Sequence, residues 1–224
     1  MANITVHHLQ VSQSERIPWL LEELGLPYEL RTYKRAPLLA PPEYKALHPG
    51  GAAPVIRIHG DADLTLAESG ACVEYLARRH GRDHRLFVEP DDPAYADFLY
   101  WWHWSNGTFQ PAVARAMYAR DLPEGSRIRE VSKERLGRAL DALGKQLGRA
   151  GGYLVGPELS AADIMVVFSL TTMRYFSPYS LGEHPNILKY LGRISKREAY
   201  RTAMAKSDPD MELALSAEPP KPLH

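Results

Sequence analysis

The chain has 224 residues, of which 45% are hydrophobic and 24% charged, an ordinary composition for a globular protein. Its 27 basic and 27 acidic side chains balance, which argues against a nucleic-acid binder and against electrostatic attachment to anionic membranes. A single cysteine, Cys72, excludes an intrachain disulfide and a cysteine metal cluster. Since no signal-peptide pattern and no membrane-spanning apolar run is found, we expect a cytoplasmic protein without metal, nucleic-acid or membrane partners.

The first 83 residues predict a small mixed domain with the element order β-α-β-α-β-β-α. Apolar residues recur at helical spacing before Gly25, which ends the first helix. Gly60-Asp61 is a plausible hairpin turn between the last two strands. Strands are predicted at residues 4–9, 28–33, 55–59 and 64–66, and helices at 15–24, 43–47 and from 68 or 69 to about 79.

The rest of the chain predicts a separate, all-helical domain. A charged, proline-bearing linker is expected at residues 84–93, the helical domain at 94–207, and a fraying tail at 208–224. Ser160 and Asp163 have the spacing of a capping box before a strongly apolar run. Helices are predicted at residues 94–107, 127–147, 160–172, 186–194 and 196–205.

Five segments carry a family resemblance through their order and spacing. They are ITVHHLQVSQSERIPWLLEELGLPYEL, APPEYKALHPGGAAPVI, LTLAESGACVEYLARR, YWWHWSNGTFQP and LSAADI. The chain resembles cytosolic glutathione transferases, most of all a fungal and bacterial subgroup. The resemblance implies an α+β fold, with a thioredoxin-like N-terminal domain (βαβαββα) followed by an all-helical C-terminal domain. It also implies a detoxifying homodimer that joins glutathione, its co-substrate, to small hydrophobic electrophiles.

The resemblance assigns four glutathione-binding residues to the hairpin and its flanks. Pro54 matches a proline with a cis peptide bond, which turns the Ala53 N–H and C=O toward the cysteinyl backbone of glutathione. Ser69 would bind the γ-glutamyl carboxylate at a helix N-terminus, and Glu68 the α-ammonium. The alternative is that Glu68-Ser69 is an ordinary helix cap.

Ser12 is the predicted catalytic residue, with Ser14 as an alternative. In the family's serine classes, a hydroxyl before the first helix binds the glutathione sulfur and favours the thiolate. Pro18 fits best in a first helical turn, which makes Ser14 the predicted cap and leaves Ser12 to face a ligand. Ser12 and Glu15 form a competing capping box. Val11 occupies the slot where several serine classes keep their serine, so loop N–H groups are a further alternative.

Two other features bear on substrates. Trp101, Trp104 and Thr108 share a face at helical spacing, and the resemblance assigns that face to the electrophile, with core packing or a dimer interface as alternatives. Ala52 stands where many relatives have lysine or glutamine for the glycyl end of glutathione. Lys34, Arg35 and Lys45 are the candidate replacements.

Three functions follow from these residues. The first is glutathione transfer to electrophiles, and the second is glutathione-dependent peroxide or disulfide reduction at the same site. The third is a non-catalytic binding module, which Val11 and Ala52 favour. Cys72 lies within a predicted helix, so we expect a buried, inert thiol.

Overall fold

The computed structural model describes residues 3–36, 38–60, 62–81 and 86–223. Asp61 of the predicted hairpin turn, and residues 84 and 85 of the predicted linker, lie outside these ranges. The chain forms two compact units, Met1–Phe87 with Lys196–Met211, and Val88–Ser195 with Glu212–His224. None of the described helices is long and apolar enough to cross a membrane.

One mixed sheet of four strands organises the first unit, in the order β2-β1-β3-β4. The central strand β1 runs parallel to β2, with Val6 opposite Leu30, and antiparallel to β3, with Val6 opposite Ile56. All six β1 residues are buried, as in a strand covered on both faces. The strands are β1 Ile4–Leu9, β2 Glu29–Tyr33, β3 Val55–Ile58 and β4 Leu64–Ala67, and β3 and β4 form the predicted hairpin.

Three helices alternate with these strands in the predicted order. A 3-10 turn at Gln13–Glu15 leads into α1, Arg16–Leu24, and Gly25 ends α1 with a φ of 64° that glycine adopts at low cost. Pro18 is the third residue of α1, where its missing N–H has no helical partner to lose. With α2, Pro42–Lys45, and α3, Ser69–His80, the βαβαββα order confirms the predicted α+β, thioredoxin-like arrangement.

A buried histidine in β1 predicts acid sensitivity. The His7 ring is 1% exposed, its Nδ1 lies 2.9 Å from the Tyr33 hydroxyl, and burial followed by the charge of Arg57 lowers its pKa from 6.5 to about 4. The unfolded chain therefore takes up this proton first as the pH falls. The contribution of His7 to the free energy of unfolding is complete above pH 6.5. It is lost as the pH falls toward 4, by roughly 3 kcal/mol.

The measurement is the free energy of unfolding from urea titrations between pH 4 and 7. We expect His7→Gln, which keeps a donor and an acceptor but does not titrate, to flatten this pH dependence. His48→Gln, on the half-buried end of the loop before β3, is the matched control. A His7→Gln curve as steep as that of the unchanged chain would contradict the prediction.

The last helix, α9 at Glu198–Ser207, belongs to the first unit. The sequence predicts this segment as part of the helical domain, residues 94–207. In the structure Tyr200 packs edge-on against Trp19 of α1, with ring centroids 5.0 Å apart. Arg197 also donates two hydrogen bonds of 2.6 Å to Glu23. Helical spacing predicts an apolar face but does not say which domain that face covers.

The second unit is helical, as predicted. Its central helix, α7, is buried at every position and begins with the predicted capping box of Ser160 and Asp163. A π-helical turn, Ser105–Phe109, separates α4 from α5. The helices are α4 Tyr95–Trp104, α5 Gln110–Ala119, α6 Arg127–Ala150, α7 Ala161–Leu170 and α8 Pro185–Ile194.

The C-terminal segment is held to the second unit, contrary to the fraying tail that was expected. The buried Arg174 guanidinium donates to the carbonyl oxygens of Ala214, Ser216 and Ala217, at 3.3, 2.9 and 2.8 Å. Guanidinium has five donors and no acceptor, so it suits a cluster of carbonyl oxygens. The prolines of the tail predicted fraying. The sequence alone does not reveal that Arg174, forty residues upstream of Ala214, binds this segment.

Candidate functional site

The loop before β3 places Ala53 and Pro54 as the resemblance implies. The Ala53–Pro54 peptide bond is cis. The Ala53 carbonyl, which was expected to pair with a ligand, accepts a 2.8 Å hydrogen bond from the Gln13 side-chain amide. The Ala53 N–H has no partner among the residues described. The backbone therefore offers a donor here, while its acceptor is already shared with Gln13.

Glu68 and Ser69 stand where β4 ends and α3 begins. Glu68 is exposed and has φ 71° and ψ 119°, and its side chain makes no capping hydrogen bond. A non-glycine residue in this conformation costs of order 1–3 kcal/mol and is found most often at functional sites. Ser69, the first residue of α3, is buried. The ordinary-cap alternative therefore does not describe Glu68.

Arg16 is a candidate site residue that the sequence motifs do not predict. Its guanidinium is completely buried and donates 2.9 Å hydrogen bonds to Ser69 Oγ and to Gln13 Oε1. Burial lowers the Arg16 pKa to about 9, against the charge of Glu15, which raises it. Arg16 therefore remains a cation at neutral pH. The available signal was an arginine in the first turn of a helix that is otherwise apolar, in RIPWLL.

Arg16 and Gln13 join the two halves of the candidate site. Ala53 O, the Gln13 amide, the Arg16 guanidinium and Ser69 Oγ form one continuous hydrogen-bonded chain. Because guanidinium can only donate, Ser69 Oγ acts as acceptor in this contact and its own hydrogen can point to another acceptor. A buried cation beside a serine at a helix N-terminus favours an anionic group.

The two serines before α1 are arranged differently from the prediction. Ser12, rather than Ser14, caps the 3-10 turn by accepting the Ser14 N–H, at 3.2 Å. Ser12 Oγ also lies 2.7 Å from Leu9 O and 2.7 Å from Ser14 Oγ, and Ser12 is only 5% exposed. The start of α1 proved to be a 3-10 turn, which moves the cap back to Ser12. Ser12 therefore has the capping role that was its alternative prediction. It accepts the Ser14 N–H, however, and does not form the predicted capping box with Glu15.

The loop at Val11 is fixed by two charged side chains. Val11 has a φ of 49°, and its N–H donates to Asp208 Oδ1 at 3.0 Å. Arg35 donates to the Gln10 and Val11 carbonyls, at 2.9 and 2.8 Å. The Arg35 guanidinium is therefore hydrogen-bonded to the loop at Val11. Lys34 and Lys45 are exposed and stay candidates for the glycyl end of a ligand.

Cys72 has no place in this site. Its thiol is buried in α3 and lies 3.6 Å from Leu66 O. Burial, followed by the charge of Glu68, raises the pKa of the thiol to about 12. A thiol of this kind is not a nucleophile at neutral pH, which confirms the expectation of a buried, inert cysteine.

In the second unit, the structure separates the three predicted electrophile residues. Trp104 and Thr108 line one cavity of about 380 Å³, whereas Trp101 lines another of about 290 Å³. Trp101 and Trp104 both lie in the regular helix α4, and only Thr108 lies in the π-helical turn Ser105–Phe109, so shared helical spacing does not place these side chains in one cavity. Both tryptophans are buried and their rings touch at a centroid distance of 4.9 Å.

Comparison with known proteins identifies the family. The model of the glutathione S-transferase N-terminal domain matches residues 12–79, and that of the C-terminal domain matches residues 106–202. Glutathione S-transferase 3 of Schizosaccharomyces pombe is 30% identical, over 91% of this chain and 87% of its own. The chain belongs to the glutathione S-transferase family.

Solved glutathione S-transferases share the fold over nearly the whole chain. A crystal structure of the Actinobacillus pleuropneumoniae enzyme has a TM-score of 0.81 and 34% identity, covering 92% of this chain and 94% of its own. The glutathione transferase URE2P8 of Phanerochaete chrysosporium, solved with oxidised glutathione, has a TM-score of 0.73 at 20% identity, covering 92% and 95%. The N-terminal match of the family includes Ser12, Ala53, Pro54, Glu68 and Ser69.

Proposed function

We propose that the first unit binds glutathione and that the protein joins the glutathione sulfur to small hydrophobic electrophiles. One observation carries the proposal: a buried Arg16 cation donates to Ser69 at the N-terminus of α3, directly after the strained Glu68. In this arrangement Ser69 binds the γ-glutamyl carboxylate and Glu68 the α-ammonium. The Ala53 N–H pairs with the cysteinyl carbonyl, next to the cis Pro54 bond.

In the proposed reaction, the glutathione thiol lies next to Ser12. The bound thiol loses its proton to solvent, and its sulfur forms a bond to an electrophilic carbon while the leaving group departs with the bonding pair. A hydrogen bond from Ser12 to the sulfur favours the thiolate at neutral pH. Trp104 and Thr108 of the second unit, which line one cavity, are the proposed contacts for the electrophile, with the aromatic ring favouring flat apolar molecules.

A second candidate is a binding module without turnover. It is favoured by the hydroxyls of Ser12 and Ser14, which both have hydrogen-bond partners within the protein. A glutathione-dependent reductase remains a candidate on the same residues. The homodimer and the cytoplasmic location implied by the family are also proposals, and light scattering of the purified chain tests the first of them.

Calorimetric titration of glutathione into the purified chain tests the proposal. We expect binding that Ser69→Ala weakens at least about tenfold, the loss of one charge-assisted hydrogen bond. Ser126→Ala is the matched control, since Ser126 stands at the N-terminus of α6 and its side chain makes no capping bond. Binding followed by turnover of aryl halides supports the transferase, and binding without turnover supports the module. No binding at millimolar glutathione would overturn both.

A further inference from the structure

Three arginines line the cavity to which Trp104 and Thr108 belong. Arg115 comes from α5, and Arg135 and Arg138 come from α6. The two arginines of α6 are three residues apart, so they lie on one face of that helix. The cavity volume, about 380 Å³, falls within the range of small-molecule sites, about 300–1,000 Å³. The cavity is therefore large enough for a substituted aromatic ring.

Two of these three arginines lack an acidic partner within the described part of the chain. Arg138 donates to Glu134 Oε1 at 2.7 Å, one turn away on α6. Arg115 and Arg135, which are exposed, form no hydrogen bond or ion pair with the residues that the structure describes. Because guanidinium groups are cations at neutral pH, two uncompensated positive charges lie at this cavity.

The neighbouring cavity of about 290 Å³ shows how a cation on α6 is otherwise compensated. The two cavities share Ala142 as a lining residue. One of the two cations that line the smaller cavity, Arg149, donates to Asp97 Oδ2 at 3.0 Å. Its charge is matched by the protein, whereas the guanidinium groups of Arg115 and Arg135 are available to an anionic ligand.

The rest of the larger cavity is apolar and fixed in shape. The Trp104 ring stacks on Phe109, with ring centroids 5.0 Å apart, and meets Trp101 edge-on at 4.9 Å. Small side chains beside this ring leave room for a planar group. They belong to Gly107, Ala112, Ala139 and Ala142. Because the Trp104 ring is already held in place, a ligand that packs against it does not have to order it.

We infer that this cavity binds planar aromatic acids, with the ring against Trp104 and the carboxylate at Arg115 and Arg135. Guanidinium groups suit a carboxylate because they form paired hydrogen bonds with its two oxygens. That an aromatic acid is also the electrophile rests on the proposed function. In that reaction the thiolate sulfur forms a bond to a ring carbon, and a halide leaves with the bonding pair while the carboxylate stays at the arginines.

Calorimetric titration without glutathione tests the binding. The probes are a chloronitrobenzoate, with chlorine para to the carboxylate and the nitro group beside the chlorine, and the uncharged chloronitrobenzamide of the same shape. We expect the benzoate to bind at least about fivefold more tightly, the effect of one or two exposed ion pairs. The difference should vanish in the double variant Arg115→Met, Arg135→Met. It should persist in Arg127→Met, which removes an exposed charge from the first residue of α6. Equal affinities, no binding of either probe, or a difference that survives in the double variant would overturn the inference.

Turnover of the same two compounds with glutathione tests the substrate role separately. Dividing each kcat/KM by the uncatalysed rate constant of the same compound corrects for the different reactivity of the two rings. We expect the corrected value to be at least about fivefold higher for the benzoate, and this preference to vanish in the double variant. Equal values, or a preference for the benzamide, would overturn the substrate role. If the benzoate binds but glutathione does not, the proposed function and the substrate role fail together, whereas the aromatic-acid site is supported.

Discussion

Asp163→Ala is expected to lower the free energy of unfolding by about 3–5 kcal/mol, well above the value of an ordinary helix cap. Asp163 is completely buried, and its carboxylate accepts four hydrogen bonds. The donors are the Leu154 N–H at 2.9 Å, the Ser160 N–H and hydroxyl at 2.8 Å each, and the Tyr190 hydroxyl at 2.9 Å. Removing the carboxylate leaves these donors buried, and each unsatisfied group costs about 1–3 kcal/mol.

Urea unfolding at pH 7 measures this loss. Asp163→Asn keeps the volume and one acceptor oxygen, so it should lose less than Asp163→Ala. Asp141→Ala, with its side chain 64% exposed on α6, is the surface control and should change little. A loss near 1 kcal/mol for Asp163→Ala, typical of a cap alone, would show that Leu154 and Tyr190 find other partners.

The prediction for Asp163 illustrates what the sequence does and does not reveal. The S-x-x-D spacing of Ser160 and Asp163 predicted the capping box correctly, because a cap involves residues three apart. The bonds to Leu154 and Tyr190 connect elements that no local pattern relates, at separations of nine and twenty-seven residues. The cap cost near 1 kcal/mol expected from the motif therefore covers only part of the role of Asp163.

Local sequence patterns had the same limit in predicting the fold. Hydrophobic periodicity and turn residues predicted the strands, the end of α1 at Gly25 and the buried α7, since each of these is a property of a short segment. They did not predict that α9 packs on α1 or that Arg174 holds the C-terminal segment. In the second unit, Trp101 and Trp104 are three residues apart in α4 and yet line different cavities, which regular helical spacing did not predict.

In the candidate site, Pro54 follows a cis peptide bond and Glu68 and Ser69 stand at the start of α3, while their glutathione-binding roles stay predictions. Gln13 and Arg16 were missed, because a polar side chain that connects distant segments has no spacing rule. Val11 and Asp208, which are hydrogen-bonded, are 197 residues apart, so only the fold could bring them together.

Arg16→Met is expected to weaken glutathione binding about tenfold to a hundredfold. A carboxylate bound at Ser69 would lie within a few ångströms of the Arg16 guanidinium, in a buried setting where such a charge is worth about 1.5–3 kcal/mol. Removing one buried charge while its partners stay buried is destabilising, and here Gln13 Oε1 and Ser69 Oγ each lose a donor and the buried Glu15 loses a nearby cation. Binding and stability must therefore be measured on the same variant.

Calorimetry with glutathione and urea unfolding, on the same variant, separate the two effects. Arg79→Met, on the exposed face of α3, is the control, since it removes an equal charge at a distance from Ser69 and should leave the affinity within about twofold. If Arg16→Met destabilises the chain while binding is unaltered, the buried cation serves the packing of α1 against α3. The affinity would then come from Ser69 and the N-terminus of α3 alone, without help from the Arg16 charge.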